Sequence, residues 1–498
     1  MAQGGRGRGR GRGMGGRQPA GCALVNSSAE CEPGGELRVC FVTDAEGNLD
    51  YFRRCVELST VVDFAEDGTL RFAKEESQDI FVFGGDTCDK GEGDIRIVKA
   101  LVAFKLQHPD RVHLLVGNRD LNKIRVSAEL RETDINVPLP VPAYPGMDKQ
   151  VTLREYLLKL NGGQADGLEA LNTRANRLRW MLDCTLGARG QFESRRKELE
   201  CLRGREATDD EVVESYMGAV ERDDGFLWKY FQHAEMAFRW GNTLFVHGGV
   251  PAKSPGWLPP VRLPYVTPPD GAECPGEDLP EGHSLEEWIE AMNKRFNDGL
   301  RDYRDGLVWR EGRRRGGEML LAWQSNPACY QRSVVVESAL TMGTPSDVPE
   351  EVAEYLLQRG VRRLVTGHKP CGDSPFVVRS GGLELLLCDT TYSDASAPDG
   401  RGLALAAVEV VGSATHNRST LRGRLRDGSA YDFVLPPPGE PTVQSSGEDP
   451  CIGQRTSDGW WVKAVLGGGR YHCASTRPGD RRVSYCTLTA EELSSRLS

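Results

Sequence analysis

The chain is short of the features that mark a secreted or membrane protein. Its 14 cysteines are scattered over 498 residues without a single Cys-x-x-Cys pair, and the N-terminus lacks the apolar run of a secretory signal. A disulfide framework is therefore not expected, and reduced thiols in an intracellular compartment, cytoplasmic or nuclear, fit the pattern. No uninterrupted apolar run is long enough to cross a bilayer, so no membrane contact is expected. Acid is missing from the first nineteen residues, MAQGGRGRGRGRGMGGRQP, which hold five arginines. The net charge of the whole is −10, so the remainder is more acidic than the total suggests and general duplex binding by it is not expected.

What is present is ordinary globular material, 39% hydrophobic and 27% charged, enough for one large core with additions. The Gly/Arg tract cannot bury apolar surface and is expected to be disordered over residues 1–35, open to contact with RNA or a methyltransferase. A β-α-β rhythm follows. ELRVCFV, DIFVFGG and RVHLLVG read as buried strands, LDYFRRCVELS and DIRIVKALVAFKLQ as helices, and VVDFAEDGTLRFA as a hairpin turning at Asp67-Gly68.

Helix-period segments such as LEALNTRANRLRWML and GFLWKYFQHAEMAFRW then break the rhythm, so a helical insertion is expected over about 121–240, with a second insertion at about 250–355. Strand character returns at TLFVHGG, RRLVTGH, LELLLCD and LALAAVEVV. From 425 to 498 the spacing predicts a small β-rich module appended to a main domain over 36–424.

Five strand ends carry chemistry. FVTDAEGN supplies Asp44 and Glu46; FGGDTCDKG supplies Asp86, Asp89 and Lys90; LVGNRD supplies Asn118, Arg119 and Asp120; FVHGG supplies His247; and VTGHKP supplies His368. Ligand sites of α/β sheets gather at the carboxyl ends of strands, so these distant residues can converge. Their oxygen and imidazole donors suit Mn²⁺, Fe, Zn²⁺ or Mg²⁺. With only eight histidines in the chain, two at strand ends beside glycine are better read as ligands than as core residues.

This ordered set resembles the calcineurin-like metallophosphoesterases, in particular the serine/threonine protein phosphatase branch with its GD-x-x-DRG, GNHE and HGG blocks. The resemblance covers roughly residues 37 to 410. It implies an α/β (α+β) fold built on a central β-sandwich flanked by helices. It also implies two divalent metal ions about 3.5–4 Å apart that activate water for in-line attack on phosphorus. Asp44 would ligate the first ion, Asp86 would bridge both, and Asn118, His247 and His368 would complete the second.

Two departures from the family pattern shape the expected chemistry. The first block is Asp44-Ala45-Glu46 where the family has Asp-x-His, so a carboxylate replaces an imidazole and Mn²⁺ or Mg²⁺ is favoured, Mn²⁺ first. Arg119 stands where the family has the histidine credited with protonating the leaving oxygen. A guanidinium stays charged above about pH 12 and donates no proton at neutral pH, though it can grip a phosphate.

Asp120 or a metal-bound water would then supply the proton, or the leaving group would be a good one, which favours anhydrides and aryl phosphates over serine esters. Asp89 would orient Arg119. Lys90, Arg119, Lys123 and Arg125 would form a cationic rim for phosphate. The expectation is a metal-dependent phosphatase acting on a phosphorylated small molecule or phosphoprotein. The rival is a non-catalytic scaffold of the same fold that binds protein or RNA.

Overall fold

A computed structural model describes residues 36–137, 151–262, 276–309, 315–324, 329, 331–341, 343–393, 402–439, 449, 451–476 and 483–497. The Gly/Arg tract at 1–35, with the disorder and the RNA or methyltransferase contact expected of it, lies outside the described residues. β1 (Leu37–Val42) leads into helix α1 (Leu49–Glu57), and the hairpin of β2 (Val62–Phe64) and β3 (Leu70–Phe72) follows. β4 (Ile80–Phe83), α2 (Asp94–Gln107) and β5 (Val112–Leu115) complete the opening run. Asn48 caps α1 by accepting the Tyr51 N–H at 3.1 Å, and the helix buries Tyr51, Phe52, Cys55 and Val56 on one face.

From α3 (Asn118–Leu121) to His233 the described chain is helical, apart from turns. The stretch LEALNTRANRLRWML, expected as one helix, is broken at Asn172-Thr173, where Thr173 caps a new helix by accepting the Asn176 N–H. The aromatic run at 226–240 is helical only to His233. Its second half forms β6 (Ala234–Glu235) and β7 (Ala237–Trp240), because β5 and β8 (Thr243–Val246) offer it backbone partners and pairing overrides local propensity.

Two small ribbons, β9 (Trp257–Leu258) with β10 (Glu277–Asp278) and β11 (Leu340–Thr341) with β12 (Thr344–Pro345), flank the helix Leu285–Asp305. The remaining strands are β13 (Arg363–Thr366), β14 (Phe376–Ser380), β15 (Leu383–Leu387), β16 (Leu405–Gly412), β17 (Asn417–Arg424), β18 (Ala430–Leu435), β19 (Trp461–Leu466), β20 (Arg470–Thr476) and β21 (Val483–Thr489).

Two sheets carry the fold. The larger has the order β21-β20-β19-β18-β17-β16-β1-β4-β5-β6, and the smaller β14-β15-β13-β8-β7. Strand alternation explains how they stack. Val39 and Phe41 of β1 join Val82, Phe245, Val365 and Leu386 in a core between the sheets, while Cys40, Val42, Phe81 and Phe83 turn the other way and pack with α1 and α2. Phe41 and Phe245 stack across the seam with ring centroids 5.8 Å apart. The fold is thus α/β, a sandwich with helices on its flanks.

The strands beyond residue 425 are hydrogen-bonded in series onto β17, so they continue the large sheet. They also grip the loop after β13. Buried Lys463 of β19 donates to the Cys371 carbonyl at 2.5 Å, and His472 of β20 pairs with Asp373 at 2.9 Å. Among the described cysteines ten are free, but Cys329 is disulfide-bonded, which corrects the expectation of reduced thiols throughout. No described helix is long and apolar enough to cross a membrane.

Candidate metal centre

Carboxyl ends of parallel strands from both sheets meet at one rim of the sandwich. Asp44 and Glu46 follow β1, Asp86 follows β4 and Asn118 follows β5 in the large sheet; His247 follows β8 and His368 follows β13 in the small one. Asp86, His247 and His368 present donor atoms that all lie within 4.8 Å of one another. His247 Nε2 is 3.3 Å from Asp86 Oδ1 and 3.1 Å from Asn118 Oδ1, and His368 Nδ1 is 2.8 Å from the same Asn118 oxygen. The other ring nitrogen of His247 lies 2.7 Å from the Gly84 carbonyl, a contact that fixes the ring and turns Nε2 toward the cluster. Asp44 enters from the β1 side, and its two carboxylate oxygens accept the His368 backbone N–H at 3.1 and 3.0 Å.

The backbone is bent to make this possible. Among the described residues, the non-glycine positions with positive φ are Asp44 (52°), Glu46 (42°), Asp86 (54°) and His368 (69°). Each costs about 1 kcal/mol or more and persists only where the surroundings over-determine it. Hydrogen bonds from Asp44 N to Gly85 O at 3.0 Å and from Glu46 N to Asp86 O at 2.9 Å hold two of these turns together. Gly117 has to be glycine for a different reason: a Cβ there would stand 2.1 Å from the Asp86 nitrogen.

The polar residues around the cluster divide into two groups. Arg119 and Lys90 belong to it. Arg119 Nε is 3.5 Å from Glu46 and 4.0 Å from Asp86, its Nη1 is 2.9 Å from Asp89, and its backbone N–H donates to Asp86 Oδ1 at 2.8 Å. Lys90 is 4.0 Å from Glu46, and its ammonium and that carboxylate share the Tyr392 hydroxyl.

Lys123 and Arg125, expected on a phosphate-binding rim, are instead buried and committed to structure. The Lys123 ammonium spends its three donors on Asp89, the Arg119 carbonyl and Asn122, while Arg125 is forked onto Glu129 at 2.9 Å and bonded to Thr185. Asp120, expected to supply a proton, has both oxygens engaged as acceptors for the backbone N–H groups of Asp86, Thr87 and Gly117. Those contacts make it a brace for the Asp86 turn.

Packing so many carboxylates out of water moves their protons. Burial, and then the neighbouring Asp389, push Asp44 well above the usual carboxylate range. Burial also raises Glu46, against the opposing charges of Arg119 and Lys90. Burial followed by Asp86 lifts Asp120 to about 7. Asp89 runs the other way: burial would raise it, but Lys123 and Arg119 outweigh burial and hold it below its ordinary value. Burial would depress His247, yet the Asp86 and Asp44 carboxylates raise it to about 10, whereas burial and His247 together drive His368 well below the usual histidine range.

A site that concentrates this much negative charge beside two imidazoles suits divalent cations. Asp86, His247 and His368, with the Asn118 oxygen between the two rings, gather oxygen and nitrogen donors of the kind such cations take.

Residues 37–372 match the family model of calcineurin-like phosphoesterases. The chain belongs to that family. Comparison with curated proteins gives no match. Among solved structures the chain is similar to the cold-active protein-tyrosine phosphatase of a psychrophilic Shewanella species. The identity is 12% over 80% of each chain, with a TM-score of 0.39. It is also similar to a protein serine/threonine phosphatase from Saccharomyces cerevisiae, at 9% identity over 91% of this chain and 80% of that one, with a TM-score of 0.32.

This calcineurin-like phosphoesterase carries two site neighbours that the motif reading passes over, both beyond the family match. Asp389 ends the segment after β15 and Tyr392 follows three residues later. The strand LELLLCD closes on an aspartate as the strands before Asp44 and Asp86 do, and the strand-end rule that found those two applies to it equally. Tyr392 had no such signal, since its hydroxyl reaches Glu46 from 346 positions away.

Proposed function

We propose that this protein is a metal-dependent phosphatase that cleaves phosphate from a good leaving group, an anhydride or an aryl ester, on a phosphorylated small molecule or a phosphotyrosine protein. The observation that carries the reading is the gathering of Asp44, Glu46, Asp86, Asn118, His247 and His368 at one rim, with Arg119 in the midst of them. Two divalent ions, Mn²⁺ favoured, would be held by those six residues; when bound they supply the charge that activates water and polarises the phosphoryl oxygens.

The chain's own residues do the rest. Arg119 and Lys90 bring positive charge to where a phosphate dianion gathers negative charge in the transition state. Asp89 holds the Arg119 guanidinium in place and Lys123 in turn holds Asp89. A groove of about 430 Å³ opens beside Lys90, lined also by Asn48, Asp50, Glu92, Arg96 and Ser194.

The test is release of phosphate from p-nitrophenyl phosphate with Mn²⁺ added. The expected result is Mn²⁺-stimulated turnover that falls by about 10²-fold or more in Asp86→Asn, which removes the shared donor. Metal-loaded protein inert towards aryl phosphates, nucleotides and phosphotyrosine peptides alike would reject the reading.

A further inference from the structure

Asp389 lies two residues past β15, whose neighbour β13 carries His368 on its own extension. It is 1% exposed. One oxygen, Oδ1, accepts the Thr391 N–H at 2.9 Å, while Oδ2 has no hydrogen-bond partner. A buried carboxylate oxygen without a donor is costly, and native proteins leave few of them unexplained.

The backbone around Asp389 is pinned from both sides. Its carbonyl accepts the Cys371 N–H at 2.8 Å, and the Thr391 hydroxyl donates to the Asp44 carbonyl at 2.5 Å. A side chain held this firmly beside Asp44, with one oxygen unspent, is built as a ligand is built.

Glu46 supplies the second half of the argument. It follows β1 two residues after Asp44, and its charge is divided among Arg119 at 3.5 Å, Lys90 at 4.0 Å and the Tyr392 hydroxyl. A carboxylate shared with two cations and a phenol is a weakened metal donor. The first ion would then rest on Asp44 and the shared Asp86, too few for a hard divalent cation that takes about six oxygens.

Building on the metallophosphatase reading above, we propose that Asp389 is a further ligand of the first metal site, its Oδ2 completing an all-oxygen set with Asp44, Glu46 and Asp86. The two sites then differ in kind. The first is hard and carboxylate-rich, suited to Mn²⁺ or Mg²⁺, and the second, with its two imidazoles, suits Zn²⁺ or Fe.

The experiment compares wild type with the isosteric Asp389→Asn. Both are equilibrated with Mn²⁺, bound metal is counted by elemental analysis, and affinity is measured by competition with a chelator. Thermal unfolding is recorded with and without metal. Wild type is expected to hold two ions and Asp389→Asn one, or a second weakened by about 10-fold or more. Metal-free Asp389→Asn is expected to melt no lower than metal-free wild type, since a repelling charge is gone, while its metal-induced rise in Tm shrinks. Two ions at wild-type affinity in the variant would overturn the assignment and leave the phosphatase reading standing. So would a metal-free form already destabilised with its metal-induced rise intact, which would mark Asp389 as a packing residue. Wild type that takes up no metal at all would bring down both.

Discussion

Arg119 Nη1 lies 2.9 Å from Asp89 Oδ2, and the same guanidinium reaches toward Glu46 and Asp86 through Nε. A permanently charged fork therefore stands at position 119, and the pair it forms with Asp89 fixes its direction.

The leaving group should feel that exchange. Wild-type kcat/KM is expected to fall steeply as the leaving-group pKa rises, because nothing at position 119 protonates the departing oxygen. Arg119→His is expected to flatten the dependence, raising the ratio of alkyl to aryl phosphate hydrolysis by about 10²-fold even if both absolute rates drop. A series of substituted phenyl and alkyl phosphates measures the slope; equal slopes in the two proteins would refute the argument.

Stability of the metal-free protein should depend on pH in a stated direction. Burial, aided by Asp86 for Asp120 and by Glu46 for Asp389, raises both carboxyls from 3.8 to about 7. A group whose folded pKa is raised stabilises fully below its unfolded value and loses that contribution as pH climbs through the folded one. His247, raised from 6.5 to about 10, acts with the same sign over a higher window. The Tm of chelator-treated protein is therefore expected to decline from pH 5 to pH 8, by a few kcal/mol of stability, and added Mn²⁺ to restore most of the loss at pH 8. A metal-free Tm that rises over this interval would contradict the assignment.

Gly117→Ala tests the close approach of two turns. The added methyl would lie 2.1 Å from Asp86 N and 2.2 Å from Asp86 Oδ1, so Asp86 has to shift. Bound metal is expected to fall and kcat/KM towards p-nitrophenyl phosphate to drop by about 10²-fold or more, as small displacements of reacting groups do. Far-UV circular dichroism should be unchanged, because the clash is local.

Lys463→Ala probes the grip of the C-terminal strands on the loop after His368. Lys463 is fully buried, donates to the Cys371 carbonyl and lies 3.9 Å over the Phe376 ring. Its removal leaves a buried carbonyl unpaired and a void, with an expected loss of about 2–4 kcal/mol in urea unfolding. The exposed Lys294→Ala, which breaks only a surface pair with Asp298, should stay within about 0.5 kcal/mol of wild type.

The strand ends were legible in the sequence because each couples an apolar run to an abrupt polar signature, and both β-sheet periodicity and the strand-end rule read such signatures directly. What lay deeper was burial. Lys123 and Arg125 look solvated in NKIR, and their commitment depends on Asp89, 34 residues away, and on Thr185 in the helical region. The Arg125–Glu129 spacing of four on a helical stretch was a readable hint of the latter. The aromatic run at 234–240 was misread as helix because its strand partners are set by tertiary pairing. Asp389 was passed over because Asp-Thr-Thr has the composition of an ordinary turn.

The candidate donor residues straddle the join between two sheets: three strands of one and two of the other each contribute a point of attachment. The distance between donors of the two sheets is thus inherited from how tightly the Phe41 and Phe245 layer closes. A substitution in that greasy interleaf, far from any substrate, would act as a tuning screw on turnover, and lineages could adjust reactivity there while leaving every coordinating side chain untouched.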